Sequence, residues 1–161
     1  MTVEQMVLHG RFPYLSYPRR YSSHDREVAI KAMEIVGVAE FAQKPLYSLS
    51  GGMRQNAYIA MALAQDTDYI LLDEPTTYLD IAHQLELMRI LRKLADSGKG
   101  IVTVMHNLPI AFDFSDKLTV MSNGKIIAYG TPSEICESHI VEDIFGVKIK
   151  QVQKGKYLYE Y

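Results

Sequence analysis

The sequence predicts an α/β fold: a short parallel sheet with a helical region ahead of it. Three observations predict it. Tyr69-Ile70-Leu71-Leu72 is an unbroken apolar run of strand length, of the kind buried on both faces of a parallel sheet. Ile101-Val102-Thr103-Val104-Met105 is a second such run. Between them Leu87, Ile90, Leu91 and Leu94 repeat at helical spacing. Strand, helix and strand in that order make a βαβ unit with a right-handed crossover.

The remaining elements follow along the chain. Residues 11–23 read as a loop, with Pro13, Pro18, Tyr14, Tyr17, Tyr21 and the pair Ser22-Ser23. Ser22 with Asp25 three residues later starts a helix, Val28, Ala32, Ile35 and Val36 give it an apolar stripe, and Gly37 stops it. Glu40–Tyr47 is irregular around Pro45, and Ala57, Ala60, Met61 and Ala64 then form a small-residue helical face. Asp80 caps the crossover helix, which ends near Ser97-Gly98. Leu118–Met121 and Ile126–Tyr129 flank Ser122-Asn123-Gly124-Lys125, a hairpin signal. Short helices are expected near Ser133–Cys136 and Val141–Phe145, and a weaker hairpin in Val147–Tyr161 around Lys154-Gly155-Lys156.

Composition narrows the function. The chain has 161 residues, 48% hydrophobic and 22% charged, which suits one ordinary globular domain. With 17 basic and 19 acidic residues the net charge is −2, so no nucleic-acid or anionic-membrane surface is expected. The lone Cys136 excludes an internal disulfide framework and fits a reducing cytosol. No apolar run approaches the ~18–20 residues of a spanning helix. No signal peptide opens the chain; Met1-Thr2-Val3-Glu4-Gln5 reads as the middle of a larger unit.

Chemistry concentrates in three places. Ser50 can cap a helix whose first residues, Gly51 and Gly52, leave their amides bare, and orphan amides plus the helix dipole bind anions. Taken alone, Ser-Gly-Gly is more often a plain turn between helices. Asp73-Glu74 closes the first strand, where ligands of open α/β sheets bind. Two adjacent carboxylates suit a metal–phosphate site, with Asp73 on Mg²⁺ through water and Glu74 orienting or deprotonating an attacking water; the bland alternative is a strand end meeting solvent. His106 ends the second strand and could donate to a terminal phosphate, though a lone histidine there is usually structural. His9, His24, His83 and His139 have no such placement and are assigned no chemistry.

Order and spacing remove the ambiguity. Leu49-Ser50-Gly51-Gly52-Met53-Arg54-Gln55 resembles the signature of ABC-type ATPases. Ile70-Leu71-Leu72-Asp73-Glu74-Pro75-Thr76 resembles their Walker B strand with its catalytic glutamate, Thr77-Tyr78-Leu79-Asp80 their D-loop, and His106 their switch histidine. Gly10-Arg11-Phe12-Pro13-Tyr14, Asp80-Ile81-Ala82-His83-Gln84 and Val141-Glu142-Asp143-Ile144-Phe145-Gly146-Val147 are similar to the branch that imports ferric siderophores, haem and cobalamin. Met53 stands where the family usually has Gln. No G-x-x-x-x-G-K-S/T phosphate loop occurs in these residues, which the resemblance reads as truncation, with about the first third of a family subunit outside them.

The resemblance implies a partial P-loop NTPase fold. Residues 1–66 would be a helical subdomain ending in the signature and its helix, 67–135 a portion of the RecA-like catalytic core, and 136–161 a C-terminal extension. It implies ATP and Mg²⁺ as cofactors and a head-to-tail pair of ATPase subunits. Leu49, Ser50, Gly51, Gly52 and Gln55 would bind ATP held mainly by the partner, and Asp80 would reach across to the partner's site. Asp73 would hold the metal, and Glu74 and His106 would be catalytic. Two permease subunits, an external solute-binding protein acting indirectly, no nucleic acid, and a cytoplasmic position on the inner membrane face complete the expectation. Truncation would leave apolar surface on both strands and an inactive isolated chain. A non-transport ABC-type ATPase and a non-catalytic permease-docking fragment remain as rivals.

Overall fold

A computed structural model describes residues 1–153 and 156–160, which form two compact units, Met1–Val104 and Met105–Tyr161.

The first unit opens with helices. Helix α1 (Val3–Leu8) is capped by Thr2, whose hydroxyl accepts from Gln5 N while the Gln5 side chain accepts from Thr2 N. A 3₁₀ turn over His9–Tyr14 occupies part of the expected loop. Helix α2 (Ser23–Ile35) starts at the Ser22–Asp25 capping box, and Gly37 follows it with φ +72°. Its buried stripe is Ala29, Ala32, Met33 and Val36, while Ile35 is 44% exposed. Ala32 and Val36 of the expected stripe are buried, while Ala29 and Met33 take the inward places expected for Val28 and Ile35.

Helix α3 (Gly51–Ala64) buries Ala57, Ile59, Ala60, Leu63 and Ala64, and α1 and α2 pack on it. The small residues allow close approach. A Cβ at Gly10 would run into the Met61 carbonyl and lie 3.1 Å from Ala64 Cβ.

Strands β1 (Tyr69–Asp73) and β2 (Gly100–Val104) pair in parallel from Tyr69↔Gly100 to Asp73↔Val104. Helix α4 (Ile81–Asp96) connects them and buries Leu87, Met88, Leu91 and Leu94. The sequence suggested strands covered on both faces, but Ile70 is buried while Leu71 is 75% exposed and Val102 and Val104 are each 55% exposed. Alternation puts Ile70 and Leu71 on opposite faces, and α4 covers only one. The apolar surface expected on both strands is thus present.

The second unit contains α5 (Leu108–Phe114), the hairpin of β3 (Leu118–Ser122) and β4 (Lys125–Gly130), helices α6 (Pro132–Glu137) and α7 (Ile140–Phe145), and antiparallel β5 (Lys148–Gln153) and β6 (Lys156–Glu160). Asn123 and Gly124 have φ +49° and +73°, as a tight hairpin turn needs. Its core is Phe112, Val120, Ile135, Val141 and Tyr157, with the rings of Phe112 and Tyr157 5.0 Å apart. The turn expected around Lys154-Gly155 lies outside the described residues. No helix among the described residues is long and apolar enough to cross a membrane.

Candidate functional site

The signature segment is the start of α3. Ser50 has an extended backbone (φ −60°, ψ 164°), and its hydroxyl oxygen accepts from Met53 N at 3.3 Å. An accepting hydroxyl still has its own proton to donate. Ser50 and Gly51 are exposed, Gly52 is buried, Leu49 is 8% exposed, and Gln55 is half-buried. Arg54 Nη2 donates to the Leu49 carbonyl at 3.2 Å, which fastens the approach to the helix.

The two glycines differ. Around Gly51 a Cβ would find nothing within 4 Å, and the backbone is helical, so neither space nor conformation within this unit calls for glycine. At Gly52 the added Cβ would lie 2.5 Å from His83 Cδ2.

The carboxylate pair closes β1. Asp73 is exposed at the last strand position, opposite Val104. Glu74 has φ +46°, a left-handed conformation uncommon outside glycine, and its N–H donates to the Val104 carbonyl at 3.0 Å. That bond extends the parallel ladder by one rung while the chain turns. The left-handed kink also breaks the strand's alternation, so its carboxylate direction is set by the turn. Thr77 Oγ1 donates to Glu74 Oε2 at 3.0 Å, and Thr77 N to the Glu74 carbonyl at 3.1 Å.

The following loop is tied to α4. Gln84 Nε2 donates to the carbonyls of Leu79 at 2.9 Å and Thr76 at 3.3 Å. Asp80 caps α4: Oδ1 accepts from His83 N at 2.9 Å, and Oδ2 meets His83 Nδ1 at 2.7 Å. The His83 amide bond, then its ring bond, hold the Asp80 carboxyl below its ordinary pKa. Tyr78, at φ +65°, is 99% exposed.

His106 is exposed and belongs to the second unit, two residues past the end of β2 and next to Asn107, which caps α5. Leu49, Ser50, Gly51, Gly52, Gln55, Asp73, Glu74 and Asp80 all lie in the first unit. The residue that sequence reasoning passed over is His83. Its signal was its place three residues after the capping Asp80, where a side chain can reach back to the cap.

Among the described residues no three His, Cys, Asp or Glu groups converge as a metal cage.

Residues 1–77 match the family model described as ABC transporter. The chain is 43% identical over 90% of its length to the petrobactin import ATP-binding protein FpuD of Bacillus anthracis, covering 54% of that protein. It is 43% identical over 91% of its length to the iron(3+)-hydroxamate import ATP-binding protein FhuC of Bacillus subtilis, covering 55% of it. It is 40% identical over 92% of its length to the ferric enterobactin transport ATP-binding protein FepC of Escherichia coli, covering 55% of it. The chain spans about half the length of the curated relatives it matches. Among solved structures, it resembles a metal-chelate type ABC transporter in an inward-facing conformation (TM-score 0.88, 29% identity, all of this chain and 67% of that one). It also resembles a dimeric bacterial ABC transporter cassette (TM-score 0.67, 27% identity, 82% of this chain and 57% of that one). The signature stands at a helix start and the carboxylate pair at a parallel-strand end; residues 1–77 match the ABC transporter family, and the chain resembles its ATP-binding proteins over about nine-tenths of its length.

Proposed function

We propose that this chain contributes the signature, metal and hydrolysis motifs to the ATP-hydrolysing subunit of an ABC importer for ferric siderophore, haem or cobalamin. The observation that carries the proposal is the first turn of α3. Ser50 keeps a hydroxyl proton to donate, and exposed Gly51 has open space where a side chain would be. A glycine that its own unit does not require fits a close approach by something outside it. Bare amides at a helix start favour an anion. The terminal phosphate of ATP held by a second subunit, in a head-to-tail pair, is that anion; Leu49 and Gln55 complete the ATP-binding segment, and Asp80 reaches across the pair toward the partner's site.

Glu74 is the residue that orients or deprotonates the attacking water, with Thr77 holding one carboxylate oxygen. Asp73 holds Mg²⁺ through water; the ion, when bound, neutralises charge on the phosphates. His106 donates to the terminal phosphate. Phosphoryl transfer depends on positioning and charge stabilisation. These residues include no phosphate-loop lysine or amide cradle, so the isolated chain binds ATP weakly and hydrolyses it negligibly. Micromolar affinity in calorimetry would contradict that.

The relatives, which are petrobactin, iron(3+)-hydroxamate and ferric enterobactin import proteins, support the siderophore class. The partners are then two permease subunits, engaged through the region around Arg11–Tyr21, with a solute-binding protein acting indirectly and no nucleic acid. The location is cytoplasmic, against the inner face of the membrane. The test is complementation. The chain is mixed with a full-length relative whose own signature serine is replaced, and ATP hydrolysis and association are both read. Restored hydrolysis supports the reading; association without hydrolysis contradicts it. Co-purification with nucleic acid in place of a permease would overturn transport.

A further inference from the structure

Gly52 is glycine for a reason different from Gly51. Its backbone is helical, so conformation does not demand glycine. Its side-chain space is already filled: a Cβ would lie 2.5 Å from His83 Cδ2, 3.0 Å from Cγ and 3.2 Å from Nε2. The imidazole therefore lies against the bare backbone of the signature turn.

That ring is held from the other side. Asp80 accepts from the His83 amide with one oxygen and meets Nδ1 with the other, at 2.9 and 2.7 Å. With Asp80 ionised, Nδ1 carries the proton and the opposite edge of the ring faces Gly52. Gln84 ties the same helix start to the Leu79 and Thr76 carbonyls, and Thr77 holds the Glu74 carboxylate. Contacts thus run from Gly52 through His83 to Asp80, whose carbonyl accepts from Gln84 N at 2.9 Å; Gln84 in turn holds the carbonyl of Thr76, the chain neighbour of the Thr77 that bonds Glu74.

We propose that His83 is a positioning residue that couples the signature turn to the loop carrying Glu74. The proposal rests on the ATPase reading above. In that reading the signature serves nucleotide held by the partner, and Glu74 serves nucleotide held by its own subunit. His83 links the two sites inside one chain, so the seating of one nucleotide changes the setting of the other's catalytic carboxylate. The imidazole need not touch nucleotide. It acts by fixing the distance between two elements that do.

The experiment has two readouts. The first uses this chain, labelled with ¹⁵N, and the variants His83→Ala, His83→Asn, Gly52→Ala and Gly52→Ala/His83→Ala. Asn places an amide nitrogen where Nδ1 lies, so it keeps the bond to Asp80. His83→Ala is expected to move the amide resonances of Gly51, Gly52 and Thr77 and to speed exchange at Arg54 about tenfold while Leu63, at the far end of α3, keeps its rate. His83→Asn restores the parent pattern. Gly52→Ala perturbs the parent, where it meets the ring, and adds little once the ring is gone. Unmoved Gly51 and Thr77 amides, or an equal effect of Gly52→Ala in both backgrounds, overturns the proposal.

The second readout is the complemented ATPase. His83→Ala is expected to lower kcat about tenfold with KM for ATP within about twofold, as loss of alignment does. Unchanged kcat overturns the positioning role. Should the parent chain fail to restore hydrolysis at all, the ATPase reading falls, and the amide shifts still decide whether His83 couples the two elements.

Discussion

Arg11 Nε donates to Asp25 Oδ1 at 3.0 Å, with the two side chains only 6% and 10% exposed. Further hydrogen bonds surround the pair. Arg11 Nη1 donates to the Ala64 carbonyl at 3.0 Å, and Asp25 Oδ2 accepts from Ser22 N at 3.0 Å and Ser22 Oγ at 2.7 Å. The pair joins the 3₁₀ turn, the start of α2 and the end of α3.

Removing one member leaves a buried charge without its partner. Arg11→Leu is expected to destabilise the first unit by about 3 kcal/mol in urea unfolding. Arg11→Leu with Asp25→Asn is expected to lose less than the two single losses added. Additive losses would show that the ion pair is not the coupling.

The same pair sets a pH dependence. Hydrogen bonds from the Ser22 side chain and backbone, and then from Arg11, hold the Asp25 carboxyl at about 2 against an ordinary 3.8. The folded value is the lower one, so the stabilisation is complete above the ordinary value and is lost as pH falls toward the folded value. Its size is on the order of 1 kcal/mol after screening. Urea unfolding of the parent and Asp25→Asn should differ most near about pH 5 and converge near about pH 2.

Glu74→Gln keeps the shape of the side chain and its contact with Thr77 while removing the negative charge. In the complemented assembly it is expected to lower kcat by about a hundredfold or more and to leave ATP binding nearly unchanged. A parallel loss of binding would assign Glu74 to nucleotide capture instead.

The sheet face bearing Leu71, Val102 and Val104 is open in the first unit. Contiguous apolar surface of this kind drives association. The chain is expected to elute larger than its 18.3 kDa monomer in size-exclusion chromatography. Leu71→Lys with Val102→Lys should shift it toward the monomer. A parent that is already monomeric refutes the expectation.

The sequence carried much of the architecture because its local signals agree. Ser22 with Asp25, Asp80 ahead of α4, and Asn123-Gly124 each mark a boundary through backbone chemistry confined to a few residues. The stripe of α2 was misplaced because Val28 and Ile35 are as apolar as Ala29 and Met33; only the neighbouring helix decides which set turns inward. Single-sided burial of β1 was hidden for a like reason, since Leu71 and Ile70 look alike until the covering helix is known. Ser50, Gly51, Asp73 and Glu74 stand out in the sequence because their order recurs in the family, and the structure puts the first pair at a helix start and the second at a strand end. The His83 contact was not, because a ring meeting a glycine so far away in sequence leaves no periodic mark. The left-handed Glu74 was equally silent, as no propensity favours it there.

That last conformation has a price in durability. A glutamate held at φ +46° stores roughly 1–3 kcal/mol that a glycine would release. Random variation at position 74 therefore meets opposed pressures under the role proposed for Glu74: Glu74→Gly is expected to harden the molecule against heat and to lower turnover. Screens that reward only thermal endurance will select against the very carboxylate that a turnover screen retains.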